Sequence, residues 1–367
     1  MVIIKEKPED FFVKEISNIE IKNNGKHIVY VLKKENCSTH EAISKIKESL
    51  KLKNSEIGFS GSKDKRAITE QYITIKKKNS LARNFDFGNI KLEFLGYCEK
   101  RLLLGDLIGN NFKITLRDLN DEEIKNIEEI KSRDVLFLNY FGEQRFSLKN
   151  FEIGMLILKE DFENAIKKIL SFRLNYDTIN EYWGKKEFLL EKTSSHFDKK
   201  IIKHLIKNKN DFVGALKELP KELLMIYIHS VQSLIFNKTL SEIVYENLKN
   251  PFIIKYPFGN FYFAEQDELL KIADLKLPLV GFGLKEKYDF KEVVDKILKE
   301  YNIKPEDFII RKIPEISSEG SFRNAVSKAE NFSYSFFEEN KKKNAVLEFS
   351  LKKGSYATVF LRQILKS

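Results

Sequence analysis

The sequence predicts an α+β fold: a mainly antiparallel sheet built from the first and last parts of the chain, with a helix-rich middle. Three observations predict it. Apolar and polar residues alternate with period two in the first third, the pattern lengthens to helical periodicity from about residue 150, and alternation returns near the C-terminus.

In chain order, alternation marks strands over 27–32, 71–76 and 111–117, the last placing Phe112, Ile114 and Leu116 on one face. Between them, Ser38 with Glu41 forms a capping box ahead of Ala42, Ile43, Ile46 and Leu50. Asn120 with Glu123 precedes Ile124, Ile127 and Ile130 in the same way. In each pair a side-chain oxygen satisfies a first-turn N–H that the helix cannot. Longer helical periodicity follows over 162–170 and 223–248, where Leu223, Tyr227, Val231, Leu234, Leu240 and Val244 recur. Strand alternation is expected again over 345–351 and 357–365. A helical insertion between two segments that share one sheet accounts for this order. The run Lys7-Pro8-Glu9-Asp10-Phe11 recurs as Lys304-Pro305-Glu306-Asp307-Phe308. Proline followed by acids is a turn or helix-start signal, and the echo is read as that rather than as duplication.

The chain has 367 residues, and at roughly 150 residues per domain this length predicts two cores. Thirty Phe and fourteen Tyr supply far more buriable surface than a disordered chain carries. No stretch approaches the ~20 uncharged apolar residues of a bilayer helix. The N-terminus is charged from Lys5 onward and has no secretory apolar run, so a cytoplasmic location is expected. Cys37 and Cys98 are far apart and lack CxxC spacing, which points to core thiols rather than a disulfide or zinc site. The five histidines are scattered without an acidic partner at ligand spacing, so no metal is expected. A net charge of +10 favours a polyanionic partner.

The densest unusual segment is 57–71, Ile-Gly-Phe-Ser-Gly-Ser-Lys-Asp-Lys-Arg-Ala-Ile-Thr-Glu-Gln. A Walker phosphate loop is excluded here. Gly58 and Gly61 are too close together, Ser62 separates Gly61 from Lys63, and Asp64 stands where a hydroxyl should meet magnesium. What remains is a carboxylate, Asp64, bracketed by Lys63, Lys65 and Arg66. Nearby cations favour an ionised acid, and an ionised carboxylate is a usable nucleophile. The same residues also suit a solvated charged turn. A second segment, Asn139-Tyr140-Phe141-Gly142-Glu143-Gln144-Arg145-Phe146, sets aromatics beside an amide, an acid and a guanidinium. That mixture can grip a flipped base by stacking and edge hydrogen bonds, and it can equally fill a core around a glycine turn.

Together these segments resemble the TruD family of tRNA pseudouridine synthases. The resemblance rests on 58–71, on Pro8-Glu9-Asp10-Phe11, on Gly109-Asn110-Asn111-Phe112, on 139–146, and on Gly354-Ser355-Tyr356-Ala357-Thr358, in the family's order. It implies a pseudouridine synthase catalytic domain with a mixed, mainly antiparallel sheet over 1–152 and 320–367. A helix-rich TRUD insertion domain would occupy 153–319. It further implies that Asp64 is the catalytic nucleophile, that Lys63 belongs to the substrate-binding loop, and that Asn139 and Phe141 lie at the target base with Phe141 stacking on it. The family's lysine upstream of Pro-Glu-Asp-Phe falls on Lys5. Tyr72 stands where relatives often carry Trp, and Gln232-Ser233-Leu234-Ile235-Phe236-Asn237 is similar to a helix motif of the insertion. The implied activity is isomerisation of a uridine in tRNA, at position 13, through a flipped-out base. tRNA is the implied partner, with no cofactor, no nucleotide, no metal and no membrane; the oligomeric state is left open, with a monomer as the simplest case. The alternative is a non-catalytic RNA-binding or RNA-chaperone protein on the same fold.

Overall fold

The period-two stretches of the first third fold as strands, and their polar faces are half-exposed as alternation requires. The computed structural model describes residues 3–256, 258–284 and 287–367. Its first part runs β1 (Ile3–Ile4), β2 (Phe11–Ile16), β3 (His27–Glu35), α1 (Thr39–Leu50), β4 (Ile57–Phe59), β5 (Ile68–Lys76), β6 (Phe85–Asp86), β7 (Ile90–Cys98), β8 (Gly109–Arg117), α2 (Asp121–Glu128) and β9 (Val135–Leu138). The middle holds helices α3 (Ser147–Leu158), α4 (Phe162–Leu170), α5 (Tyr176–Glu181), α6 (Lys186–Lys192), α7 (His196–Lys207), α8 (Phe212–Lys217) and α9 (Lys221–Asn247). There follow the hairpin β10 (Phe252–Tyr256) and β11 (Gly259–Phe263), α10 (Gln266–Leu269), β12 (Lys276–Leu279), α11 (Lys291–Glu300) and β13 (Ser321–Asn324). The chain closes with β14 (Val326–Glu339), β15 (Lys342–Lys352) and α12 (Ala357–Leu365).

Two units result. One runs to Phe137 and resumes over 327–366; the other spans 138–326. In the first, one mixed sheet has the order β6-β7-β3-β5-β2-β8-β15-β14-β9, with β1 added on β8 and β4 on β5. Strands β2 and β5 are parallel, while β8 pairs β2 and β15 antiparallel. Both predicted capping boxes form: the Glu41 N–H donates to Ser38 Oγ and the Glu123 N–H to Asn120 Oδ1. Ile46, Ala42 and Ile43 of α1 pack with Ile28, Tyr30, Leu32, Ile73 and Ile75 of the sheet. Cys37 and Cys98 are buried free thiols, and burial pushes both thiols up.

The segment 357–365, expected as a strand, is helix α12. Ala357, Phe360, Leu361, Ile364 and Leu365 are all buried, and their spacing of three and four is a helical stripe. Val359 makes the run look alternating, and the helical period wins because the stripe can then pack on the sheet, where Phe360 meets Phe349, Phe332 and Phe137.

The second unit is organised around α9. Leu224, Ile228, Val231, Ile235, Leu240 and Val244 are buried, and so are Ser230, Gln232, Ser233, Asn237 and Thr239 on its other faces. A helix covered all round is a central helix. Helix α3 crosses it closely at Gly154, where a Cβ would sit 2.2 Å from the Tyr227 carbonyl oxygen. The repeated Pro-Glu-Asp-Phe run is a shared local turn: each copy is a 3-10 turn in which a lysine N–H donates to the aspartate, Lys7 to Asp10 and Lys304 to Asp307, both at 2.9 Å. Among the described residues no helix is long and apolar enough to cross a membrane.

Candidate active site

The residues singled out from the sequence fall into two groups, one in each unit. In the sheet unit, Asp64 lies on the loop between β4 and β5, and Lys5 Nζ meets its Oδ2 at 2.8 Å. The Asp64 side chain is 32% exposed and that of Lys5 19%, so the pair is reachable from solvent yet not fully solvated. Lys5 holds a left-handed backbone, φ +66°, a conformation that costs a side-chain-bearing residue about 1–2 kcal/mol. Its ammonium lies 3.9 Å from the Phe11 ring centre. The turn that follows Lys5 is clamped by Asp10, which accepts from Arg117 Nε and Nη2 at 2.9 and 2.7 Å. Burial pushes the Asp10 carboxyl up, but the Arg117 fork and the Lys7 N–H outweigh it and the net direction is down.

Lys63 does not reach Asp64. Its Nζ pairs at 2.6 Å with Glu15 Oε2 on β2, and Ser60 Oγ donates to the other Glu15 oxygen. The Lys63 and Glu15 side chains are 5% and 0% exposed, so this is a buried ion pair holding the loop down on the sheet. The Lys63 N–H donates to Thr39 Oγ1, Thr39 donates to Gln71, and Gln71 donates to the Gly61 carbonyl, each at 2.9 Å. Lys34, only 1% exposed, places its ammonium 2.8 Å from the Asp64 carbonyl oxygen and 2.6 Å from that of Cys37. Burial pulls Lys34 down to about 8. The outer cations are turned away: Lys65 pairs with Glu41 and Arg66 donates to the Glu6 carbonyl. The hydrogen bonds from Lys65 and Ser38 hold Glu41 at about 2. The backbone around Asp64 is therefore fixed by buried polar bonds while its carboxylate is left open, which is what preorganised electrostatic catalysis needs.

In the helical unit, Asn139 and Phe141 sit on the segment that leaves β9. Asn139 is 7% and Phe141 6% exposed. Arg323 of β13 donates to the Asn139 carbonyl at 2.9 Å and to its Oδ1 at 2.5 Å, while Asn139 Nδ2 donates to the Asn324 carbonyl. The same guanidinium lies 4.2 Å from the Phe141 ring centre, and that of Arg145 lies 5.6 Å away. Phe236 packs edge-on at 5.6 Å. Asn237 of α9 closes the arrangement as a strand would: its Oδ1 accepts from the Phe141 N–H at 2.8 Å and its Nδ2 donates to the Phe141 carbonyl at 2.9 Å.

Sequence reading missed Glu15, Lys34, Arg323 and Asn237. Only Asn237 had a signal: it ends the Gln232–Asn237 helix motif of the resemblance, where polar Gln232, Ser233 and Asn237 interrupt apolar Val231, Leu234, Ile235 and Phe236, and buried polar groups need partners.

A family model described as tRNA pseudouridine synthase D (TruD) matches residues 2–254 and 264–364. The chain is 34% identical to a Nanoarchaeum equitans protein named a probable tRNA pseudouridine synthase D, covering 98% of each chain. It is 32% identical to the tRNA pseudouridine synthase D of Aquifex aeolicus, over 99% of this chain and 98% of that one. Among solved structures, a Methanosarcina mazei protein assigned as tRNA pseudouridine synthase D aligns with a TM-score of 0.71 at 27% identity, over 99% of this chain and 93% of that chain.

Proposed function

The chain belongs to the tRNA pseudouridine synthase D (TruD) family, and we propose that it converts a uridine of tRNA, at position 13, to pseudouridine with Asp64 acting on a flipped-out base. The observation that carries this is the Lys5–Asp64 pair, a half-open carboxylate on an immobilised loop. The reaction breaks the N-glycosidic bond, turns the uracil, and rejoins it to the same sugar through carbon. Nothing is oxidised or hydrolysed, so no co-reactant enters the balance. Asp64 serves by attack on the sugar carbon, by attack on the uracil ring, or by abstracting a proton on a glycal route; all three need the same positioned oxygen. Lys5 holds that oxygen and offsets its charge. Asn139 and Phe141 are proposed as base contacts, the ring supplying stacking worth roughly 1–3 kcal/mol per base.

The test is incubation with unmodified tRNA followed by carbodiimide treatment and primer extension. A new stop at one uridine, formed equally well in EDTA once the RNA is folded, is the expected result. Binding without any stop would instead indicate an RNA-binding protein on the same fold.

A further inference from the structure

Residues 99–108 connect β7 to β8 beside the Asp64 loop; Leu102 is buried beneath the turn, while Leu103 is 60% and Leu104 67% exposed, with Ile108 at 46%. Single exposed leucines are ordinary, but adjacent ones on a turn next to a reactive loop form an apolar tip. The turn itself is tied down. Arg101 Nη2 donates to the Ile57 carbonyl at 2.5 Å, Leu102 N–H to Thr74 Oγ1 at 3.0 Å, and Leu103 N–H to Asp106 Oδ2 at 2.7 Å. The Gly105 N–H donates to the Ser60 carbonyl at 2.8 Å, and the Ile108 N–H to the Ile16 carbonyl at 2.9 Å. Lys353 Nζ caps the Gly105 carbonyl at 2.9 Å. Gly105 adopts φ +97°, which the sharp turn needs and a side-chain-bearing residue rarely takes.

Two further facts give the tip a role. Ser60, which accepts the Gly105 N–H, lies on the loop that carries Asp64, and a Cβ on Gly61 would be 3.6 Å from Leu107 Cδ2, so turn and loop are packed together. The tip is also flanked by exposed Lys100 and Lys353 and by half-buried Arg101, which together outnumber the exposed acids of the same turn, Glu99 and Asp106, by three to two. A leucine tip between cations matches a nucleic acid, whose phosphates take the cations and whose stacked bases take the apolar groups.

We propose that Leu103 and Leu104 form a wedge that enters the base stack and fills the gap left when the target uridine is turned out. This rests on the pseudouridine synthase reading above. Extruding a base loses stacking worth a few kcal/mol, and an apolar side chain in the vacated step recovers part of it. A turn already held by six hydrogen bonds loses little freedom on insertion.

The test uses the full chain and a tRNA transcript with 2-aminopurine beside the uridine located by primer extension. The Asp64→Asn variant, expected to bind without turnover, should raise the fluorescence as the neighbour unstacks. Adding Leu103→Ser and Leu104→Ser should cut that rise by about tenfold while tRNA affinity stays within about threefold. Replacing both leucines with methionine should restore it, because the apolar bulk returns. An undiminished rise in the serine variant, or no recovery with methionine, overturns the wedge and leaves base extrusion standing. Tight binding of Asp64→Asn with no rise at all overturns extrusion and the wedge together.

Discussion

The two groups of candidate residues are held by the same device and end differently. Around Asp64 a buried chain of Lys63, Glu15, Thr39, Gln71 and Lys34 fixes the backbone, and the carboxylate remains a third exposed. Around Phe141 a buried set of Asn237, Arg323 and Asn139 fixes the backbone too, but the ring is 6% exposed and already lies against two guanidinium groups. Buried polar bonds to the main chain specify where a segment goes, and they do not decide whether its side chain is free to react. Exposure differs instead: the carboxylate is open as it stands, and the ring stacks on a base only once a guanidinium gives way.

Glu15 is among the costliest of these residues to change. Glu15→Gln leaves the Lys63 ammonium buried against a neutral amide, and removing one partner of a buried pair costs about 3–5 kcal/mol. Urea unfolding should show that loss, and adding Lys63→Met should recover much of it. A cost below about 1 kcal/mol would mean that the pair does not anchor the loop. Phe141→Ala should cost about 3–5 kcal/mol as a core truncation, and should also slow turnover on tRNA. Lost stability with unchanged kinetics would make the ring core and nothing more. Asn237→Ala strips partners from the Phe141 N–H and carbonyl, so a loss of about 2–4 kcal/mol is expected in the same unfolding assay. If stability is unchanged, the segment is held by something other than that asparagine.

The smallest effect is a pH dependence. Burial brings Lys34 from 10.5 to about 8, so between these values the unfolded chain binds more protons than the folded one. The contribution of Lys34 to stability therefore rises with pH across that window, on the order of 2–3 kcal/mol. Below pH 8 both states are charged and the burial penalty is present in full. Unfolding at pH 7.5 and pH 10 should show the wild type gaining on Lys34→Met, and parallel behaviour of the two would contradict the buried charge.

Local features were legible in the sequence. The capping boxes at Ser38 and Asn120 announced their helices because the interacting atoms lie three residues apart. The loop with Asp64 stood out by composition, and the family resemblance supplied Lys5, which the structure places on Asp64. The supporting shell was not legible, because its pairs join distant residues: Lys63 with Glu15 across 48 positions, Phe141 with Asn237 across 96, Asn139 with Arg323 across 184. No local period encodes such contacts. The segment 357–365 misled for the opposite reason: Val359 fits period two, and only packing against Phe349 and Phe332 selects the helix.

The most direct test is single-turnover pseudouridine formation by Asp64→Asn, which keeps the side chain's shape and removes its charge. No detectable product is expected, with tRNA affinity within several-fold of wild type. Product formed at a rate near wild type would show that the carboxylate held by Lys5 is not the reacting group.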